Sequence, residues 1–127
     1  MTRSTPVLMI VFGLPGTGKT TLAEALAARL GWPHINTDEL RARLGLRGQY
    51  DPNTKEQVYT ALETWVREWL QRGLSVVVDA TFHKANRRER FMALAEELRA
   101  DCIWIGTEAS EETVLRRVTR SRPLSEG

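Results

Sequence analysis

The chain has a single cysteine, Cys102, so no disulfide can close within it and a fold stapled by crosslinks is excluded. Cys102 sits in an apolar run and reads as a buried thiol in a reducing compartment. Long hydrophobic stretches are lacking too. The N-terminal one, Val7 to Phe12, has only six apolar residues and no small-residue cleavage site, which argues against a membrane span or a signal peptide. Charge of one sign is also missing: 18 Lys and Arg stand against 16 Asp and Glu, and a net +2 does not by itself imply nucleic acid or membrane. There is no internal repeat and no low-complexity linker. What is present is 127 residues with 42% hydrophobic and 27% charged side chains, the composition of an ordinary globular chain. That length predicts one domain spanning 1–127, with a real core but short for a complete nucleotide-binding α/β fold, and the lone thiol with no signal peptide or membrane span gives a cytoplasmic expectation.

The run Val7 to Phe12 leads straight into Gly13-Leu14-Pro15-Gly16-Thr17-Gly18-Lys19-Thr20, which fits the phosphate-binding pattern G-x-x-x-x-G-K-[ST] without a mismatch. The chemistry explains the spelling. A buried strand delivers the chain to a tight loop whose glycines let backbone N–H groups point at phosphate oxygens. Lys19 adds a mobile charge for the β- and γ-phosphates, and the Thr20 hydroxyl can ligate Mg²⁺. Thr21 to Leu30 then reads as a helix aimed at the same anion, with Leu22, Leu26 and Leu30 on one face and Gly31 as its C′ residue. The cofactors expected are therefore ATP and Mg²⁺, with Gly13, Pro15, Gly16, Thr17, Gly18, Lys19, Thr20 and Thr21 around the nucleotide.

Further on, the hydrophobic period alternates between strand and helix. Pro33 to Asn36 is a short extended segment. Asp38 to Leu44 is a helix capped by Thr37 or Asp38. Tyr50-Asp51-Pro52-Asn53 is turn chemistry. Lys55 to Arg72 is an amphipathic helix with Val58, Leu62, Trp65, Val66, Trp69 and Leu70 inward, so the two tryptophans are expected to pack rather than to stack on bases. Ser75 to Val78 is a β-branched strand ending at Asp79, Lys84 to Ala100 a second long helix, and Asp101 to Ile105 a fourth strand. Ser110 is expected to cap a last helix with Glu111 and Glu112 in its first turn and arginines towards its end. Alternation of this kind argues a mainly parallel sheet with helices on both faces and ligands at the carboxyl ends of the strands.

That rule turns positions into a site. Asp79, at the end of an apolar strand, has the form of a metal-holding acid, which with Thr20 makes the expected Mg²⁺ pair. Asp38 could take the proton of an acceptor hydroxyl, with Arg41 one turn later on the same face, or could simply cap its helix. His83, Lys84, Arg87, Arg88 and Arg90 form a basic cluster that could grip an anionic acceptor or line a solvated helix face.

The phosphate loop, Ile35-Asn-Thr-Asp38-Glu-Leu-Arg41 and Val76-Val-Val-Asp79-Ala-Thr-Phe82 with Arg87-Arg88 together resemble the small P-loop kinases, AAA-type ATP-binding P-loop NTPases related to polynucleotide 5′-hydroxyl kinase. Zeta-toxin-like and chloramphenicol-phosphotransferase-like kinases belong to the same group. The resemblance covers nearly the whole chain. It implies a three-layer fold with sheet order 2-3-1-4, Asp38 as general base, Arg41 at the reacting phosphate or acceptor, and Asp79 beside them. It also implies a lid helix bringing arginines to the transferred group. Arg116 with Arg120 or Arg117 with Arg120 could serve, and Arg117 and Arg120 are preferred. The chain departs from the group at Pro123 to Gly127, where relatives continue into a further helix and a fifth strand, so a fold lacking the usual fifth strand, through truncation or as a minimal form, is expected.

The function expected is an ATP-dependent kinase that phosphorylates a hydroxyl of a small molecule or of a nucleic-acid 5′ end. An ATP-binding or ATP-hydrolysing regulatory module without an acceptor is the alternative. Asp38 with Arg41 favours the kinase, since hydrolysis alone needs no acceptor base.

Overall fold

Val7–Phe12 forms strand β1 at the centre of the sheet, and its alternating side chains already divide the protein into layers. Leu8 and Ile10 face one core while Met9 and Val11 face another. A parallel strand covered on both faces has this continuous apolar spelling. The computed structural model describes residues 5–107 and the backbone of residues 117–121. In chain order the elements are β1, α1 (Lys19–Leu30), β2 (His34–Asn36), α2 (Thr37–Arg43), α3 (Pro52–Gln71), β3 (Val76–Ala80), α4 (Ala85–Glu97), β4 (Asp101–Gly106) and β5 (Arg117–Ser121).

The sheet order is β2-β3-β1-β4-β5. The first four strands run parallel, in the expected order 2-3-1-4. Phe12 lies opposite both Ala80 and Gly106, and Asn36 opposite Asp79, so the four carboxyl ends finish level with one another. Helix α1 covers one face through Ala23 and Ala27. Helices α3 and α4 cover the other, where Val58, Leu62, Val66, Phe91 and Leu94 meet Leu8, Ile10, Val76 and Val78.

Several expectations need correction. A fifth strand exists: Arg117–Ser121 pairs antiparallel with β4, Gly106 opposite Arg117 and Ile103 opposite Arg120. These residues were expected on a helix, from the charges that suit its dipole. Val118 and Thr119 are β-branched, however, and β4 would otherwise present an unpaired row of backbone groups. The remainder of that expected helix (Ser110, Glu111, Glu112 and Arg116) lies outside the described residues, as do Arg122 and the Pro123 to Gly127 tail.

On α1 the buried line is Ala23 and Ala27, with Leu22 and Leu26 half-buried on its flank and Leu30 exposed. Small residues let this helix lie close to the sheet. Helix α3 begins three residues before the expected Lys55, because Asp51 caps it by accepting from the Thr54 N–H at 3.1 Å and Pro52 takes the first turn, where no N–H is needed. Trp65 and Trp69 are half-buried on α3, and Trp65 packs against the core.

Candidate active site

The phosphate loop joins β1 to α1. Gly13, Gly16 and Gly18 take φ of 152°, 82° and 82°, a region open to glycine and costly for other residues. A Cβ on Gly16 or Gly18 would meet nothing within 4 Å, so both border open space. A Cβ on Gly13 would come within 2.3 Å of Thr107 Oγ1, so here the requirement is close approach to the end of β4. The Thr17 hydroxyl, buried, donates to the Leu14 carbonyl at 2.8 Å and lies 2.6 Å from the Thr107 hydroxyl. Gly18 is the N-cap of α1 and brings no side chain to its first N–H groups. A loop braced from behind, with an uncapped helix N-terminus in front, fits a polyphosphate. Pro15, Gly16, Gly18 and Thr21 are exposed, while Gly13, Lys19 and Thr20 are half-buried.

On the α1 face of the sheet, the Thr20 hydroxyl donates to Asp79 Oδ1 at 3.0 Å. Asp79 is the fourth residue of β3 rather than a residue beyond its end, and its side chain is 2% exposed. A hydroxyl and a carboxylate so placed are two oxygen donors, which suits Mg²⁺, an ion that completes its shell with phosphate oxygens and water. No cluster of three His, Cys, Asp or Glu side chains able to hold a metal by itself occurs among the described residues. The other carboxylate oxygen, Oδ2, is in close contact with His34 Nε2 from β2. That hydrogen bond raises the imidazole pKa above its ordinary value, against the opposing effect of burial.

At the start of α2, Asp38 and Arg41 come together: Arg41 Nη1 donates to Asp38 Oδ1 at 2.8 Å. The cap of α2 is neither Thr37 nor Asp38 but Asn36, whose side chain accepts from the Glu39 N–H at 2.7 Å. Asp38 is thus relieved of capping. Its residues Lys19, Asp38 and Arg41, with Tyr59 and Arg87, line one cavity of about 490 Å³ between the phosphate loop and helices α2 and α3. Tyr50 borders it, with the Arg41 guanidinium 4.3 Å from its ring centre.

The structure thus brings Thr20 to Asp79 and Arg41 to Asp38. Arg117 and Arg120 lie on strand β5 and not on the lid helix expected for them. The basic cluster after β3 divides. Arg88 Nη1 donates to the Phe82 carbonyl at 2.7 Å and Arg90 Nε to Glu63 at 2.8 Å, both structural ties. Arg87 turns inward and is buried, whereas Lys84 is exposed. His83 is exposed and lines the same cavity.

Residues given no role in the sequence reading also build the site: His34, Tyr50 and Tyr59, with Phe82 from the third motif and Thr107 from the end of β4. Phe82, with φ of 50°, is fully buried against Tyr59, Phe91 and Trp104 and fixes the turn after β3. The positive φ of a non-glycine residue leaves no mark in the sequence, and Tyr59 reads as one more inward residue of an amphipathic helix.

Comparison with known proteins places this geometry among relatives. A family model described as an AAA domain matches residues 8–125. Gluconokinase of Gluconobacter oxydans (strain 621H) is 31% identical over 127 residues, which are 94% of this chain and 70% of that protein. A crystal structure from Chloroflexus aurantiacus J-10-fl, provisionally described as a kinase, superposes with a TM-score of 0.71 at 31% identity, over 81% of this chain and 58% of that one. The Pnkp1/Rnl/Hen1 RNA repair complex contains a chain that superposes with a TM-score of 0.70 at 25% identity, over 83% of this chain and 34% of that one. The present chain therefore spans less than two thirds of both solved structures. Among the described residues no helix is long and apolar enough to cross a membrane.

Proposed function

This chain belongs to the AAA domain family, among the small P-loop kinases, and on that premise we propose that it transfers the γ-phosphoryl group of ATP to a hydroxyl group. In this reading residues 1–127 act as a single kinase domain, in the cytoplasm, where ATP is available. The phosphate loop and Lys19 bind the triphosphate. Thr20 and Asp79 would hold Mg²⁺, which when bound would neutralise the charge that develops on the phosphates. The acceptor enters the cavity on the Asp38 side.

Asp38 Oδ takes the proton of the acceptor hydroxyl as its oxygen bonds to the γ-phosphorus. The bond from that phosphorus to the β–γ bridging oxygen breaks, and ADP keeps the electron pair. Arg41, bonded to Asp38, holds the carboxylate in one orientation and adds a positive charge beside the reacting groups. No role follows for Arg117 and Arg120, for which only the backbone strand is described.

The observation that carries this reading is the placement of Asp38. It is freed from helix capping by Asn36, bonded to a buried arginine, and shares a cavity with Lys19. A hydrolase acting on water alone has no need of such a pocket. The test is transfer of label from γ-labelled ATP to hydroxyl compounds, including 5′-hydroxyl oligonucleotides, by the wild-type chain and by Lys19→Ala. Acceptor-dependent transfer that disappears with Lys19 supports the reading. Equal ATP hydrolysis with and without every acceptor would make the protein an ATPase module instead.

A further inference from the structure

The cavity beside Asp38 is built with more positive charge than phosphoryl transfer to a neutral alcohol requires. Lys19, Arg41, Lys55 and Arg87 line it, and Asp38 is its one acidic lining residue. In the kinase reading Lys19 serves the triphosphate, and Arg41 is paired with Asp38, although its own buried Nε also lacks a partner. Two cations remain. Lys55, in the first turn of α3, makes no ion pair among the described residues. Arg87, from the first turn of α4, is 7% exposed. Its Nη2 is a long 3.6 Å from Glu56 and its guanidinium lies 4.4 Å from the Tyr59 ring centre, yet its buried Nε has no hydrogen-bond partner. A buried guanidinium N–H without a partner is costly unless a ligand completes it.

We propose, resting on the kinase reading above, that Arg87 and Lys55 form an anion subsite, and that the acceptor is a small hydroxyl compound carrying a carboxylate or phosphate group. The cavity volume, about 490 Å³, is that of a small-molecule site. Asp38 and the subsite line the same cavity, so one ligand can offer a hydroxyl to the first and an anion to the second. The planar fork of Arg87 suits the two oxygens of either anion.

The test uses three probes of similar size: D-glucitol, which is neutral, D-gluconate, which carries a carboxylate, and D-glucitol 6-phosphate. A 5′-hydroxyl oligonucleotide is the fourth. Wild-type kcat/KM should favour at least one small anion over D-glucitol by about tenfold or more, and the two anionic arms tell carboxylate from phosphate. Lys55→Met and Arg87→Lys should each lower that preference roughly 10- to 100-fold, the scale of one lost charge-assisted hydrogen bond, while KM for Mg·ATP stays put. A merely structural role for Arg87 would shift stability and leave the preference alone. Should Arg87→Lys fail to fold, Lys55→Met decides.

Calorimetric binding of the same probes, with a non-hydrolysable ATP analogue present, separates this inference from the kinase reading. Selective binding of an anion, lost in Lys55→Met, supports the subsite even where no probe is phosphorylated. Equal binding and turnover of neutral and anionic probes, or transfer to the oligonucleotide alone, would overturn it.

Discussion

Arg41 donates to Asp38 Oδ1 at 2.8 Å, and the two side chains stand at opposite extremes of exposure, 6% and 80%. The buried partner is the anchor and the exposed one is presented to the cavity. Tyr50 lies against the guanidinium, and Asn36 takes over the capping of α2 that would otherwise occupy Asp38.

From this pairing, Asp38→Asn should leave α2 intact and Mg·ATP affinity almost unchanged, while transfer to the acceptor falls by roughly two to four orders of magnitude. The loss should appear in kcat/KM for the acceptor, since a base acts on the acceptor proton. Steady-state kinetics with the acceptor varied at saturating Mg·ATP measures it. Normal transfer by the variant would remove Asp38 from the chemistry.

A second expectation concerns the metal. Thr20 and Asp79 share a hydrogen bond on the α1 face, so Asp79→Asn should raise the Mg²⁺ concentration needed for half-maximal turnover by about tenfold or more. Mg²⁺ titrations at fixed ATP distinguish the outcomes. An unchanged Mg²⁺ dependence would mean that Asp79 serves chiefly as the partner of His34.

Phe82 supports the site from beneath. Its ring meets Tyr59, Phe91 and Trp104 edge to face at centroid distances of 5.3, 5.0 and 5.4 Å, and its N–H donates to the Tyr59 hydroxyl at 3.2 Å. Phe82→Ala should cost about 3–5 kcal/mol in denaturant unfolding, because a full aromatic volume is lost where three rings cannot all collapse inward. A loss below about 1 kcal/mol would show that the cluster repacks.

Cys102 provides a check on the core. Burial pushes its thiol pKa up to about 12, so almost no thiolate exists near neutral pH. Ellman's reagent should leave the native protein unlabelled and react with one thiol per chain after denaturation. Fast labelling of the native state would mean that β4 opens readily.

Much of this protein is legible along the chain. The octet from Gly13 to Thr20 specifies a loop because its conformation depends on glycine φ angles and on residues within a few positions. Strand parity does the same for the sheet. Val77 and Asp79 share one face of β3 and Val76 and Val78 the other, so the alternation itself sends Asp79 towards α1 and Thr20. Asp38 and Arg41 meet because one helical turn separates them.

Other features arise only when distant segments are brought together. His34 reaches Asp79 across 45 positions because β2 and β3 are neighbours in register. The basic run after β3 could grip an anionic acceptor or line a solvated face, and Arg87 was set apart from its neighbours only when α4 packed against α3 and placed it against the cavity. The strand at Arg117–Ser121 carries helix-favouring charges, and the open edge of β4 outweighed them. Local spelling fixes what a few neighbouring residues can satisfy among themselves, namely turns, caps and the face of a strand. Which buried groups end up without a local partner, and what must complete them, is decided by the order in which strands and helices pack.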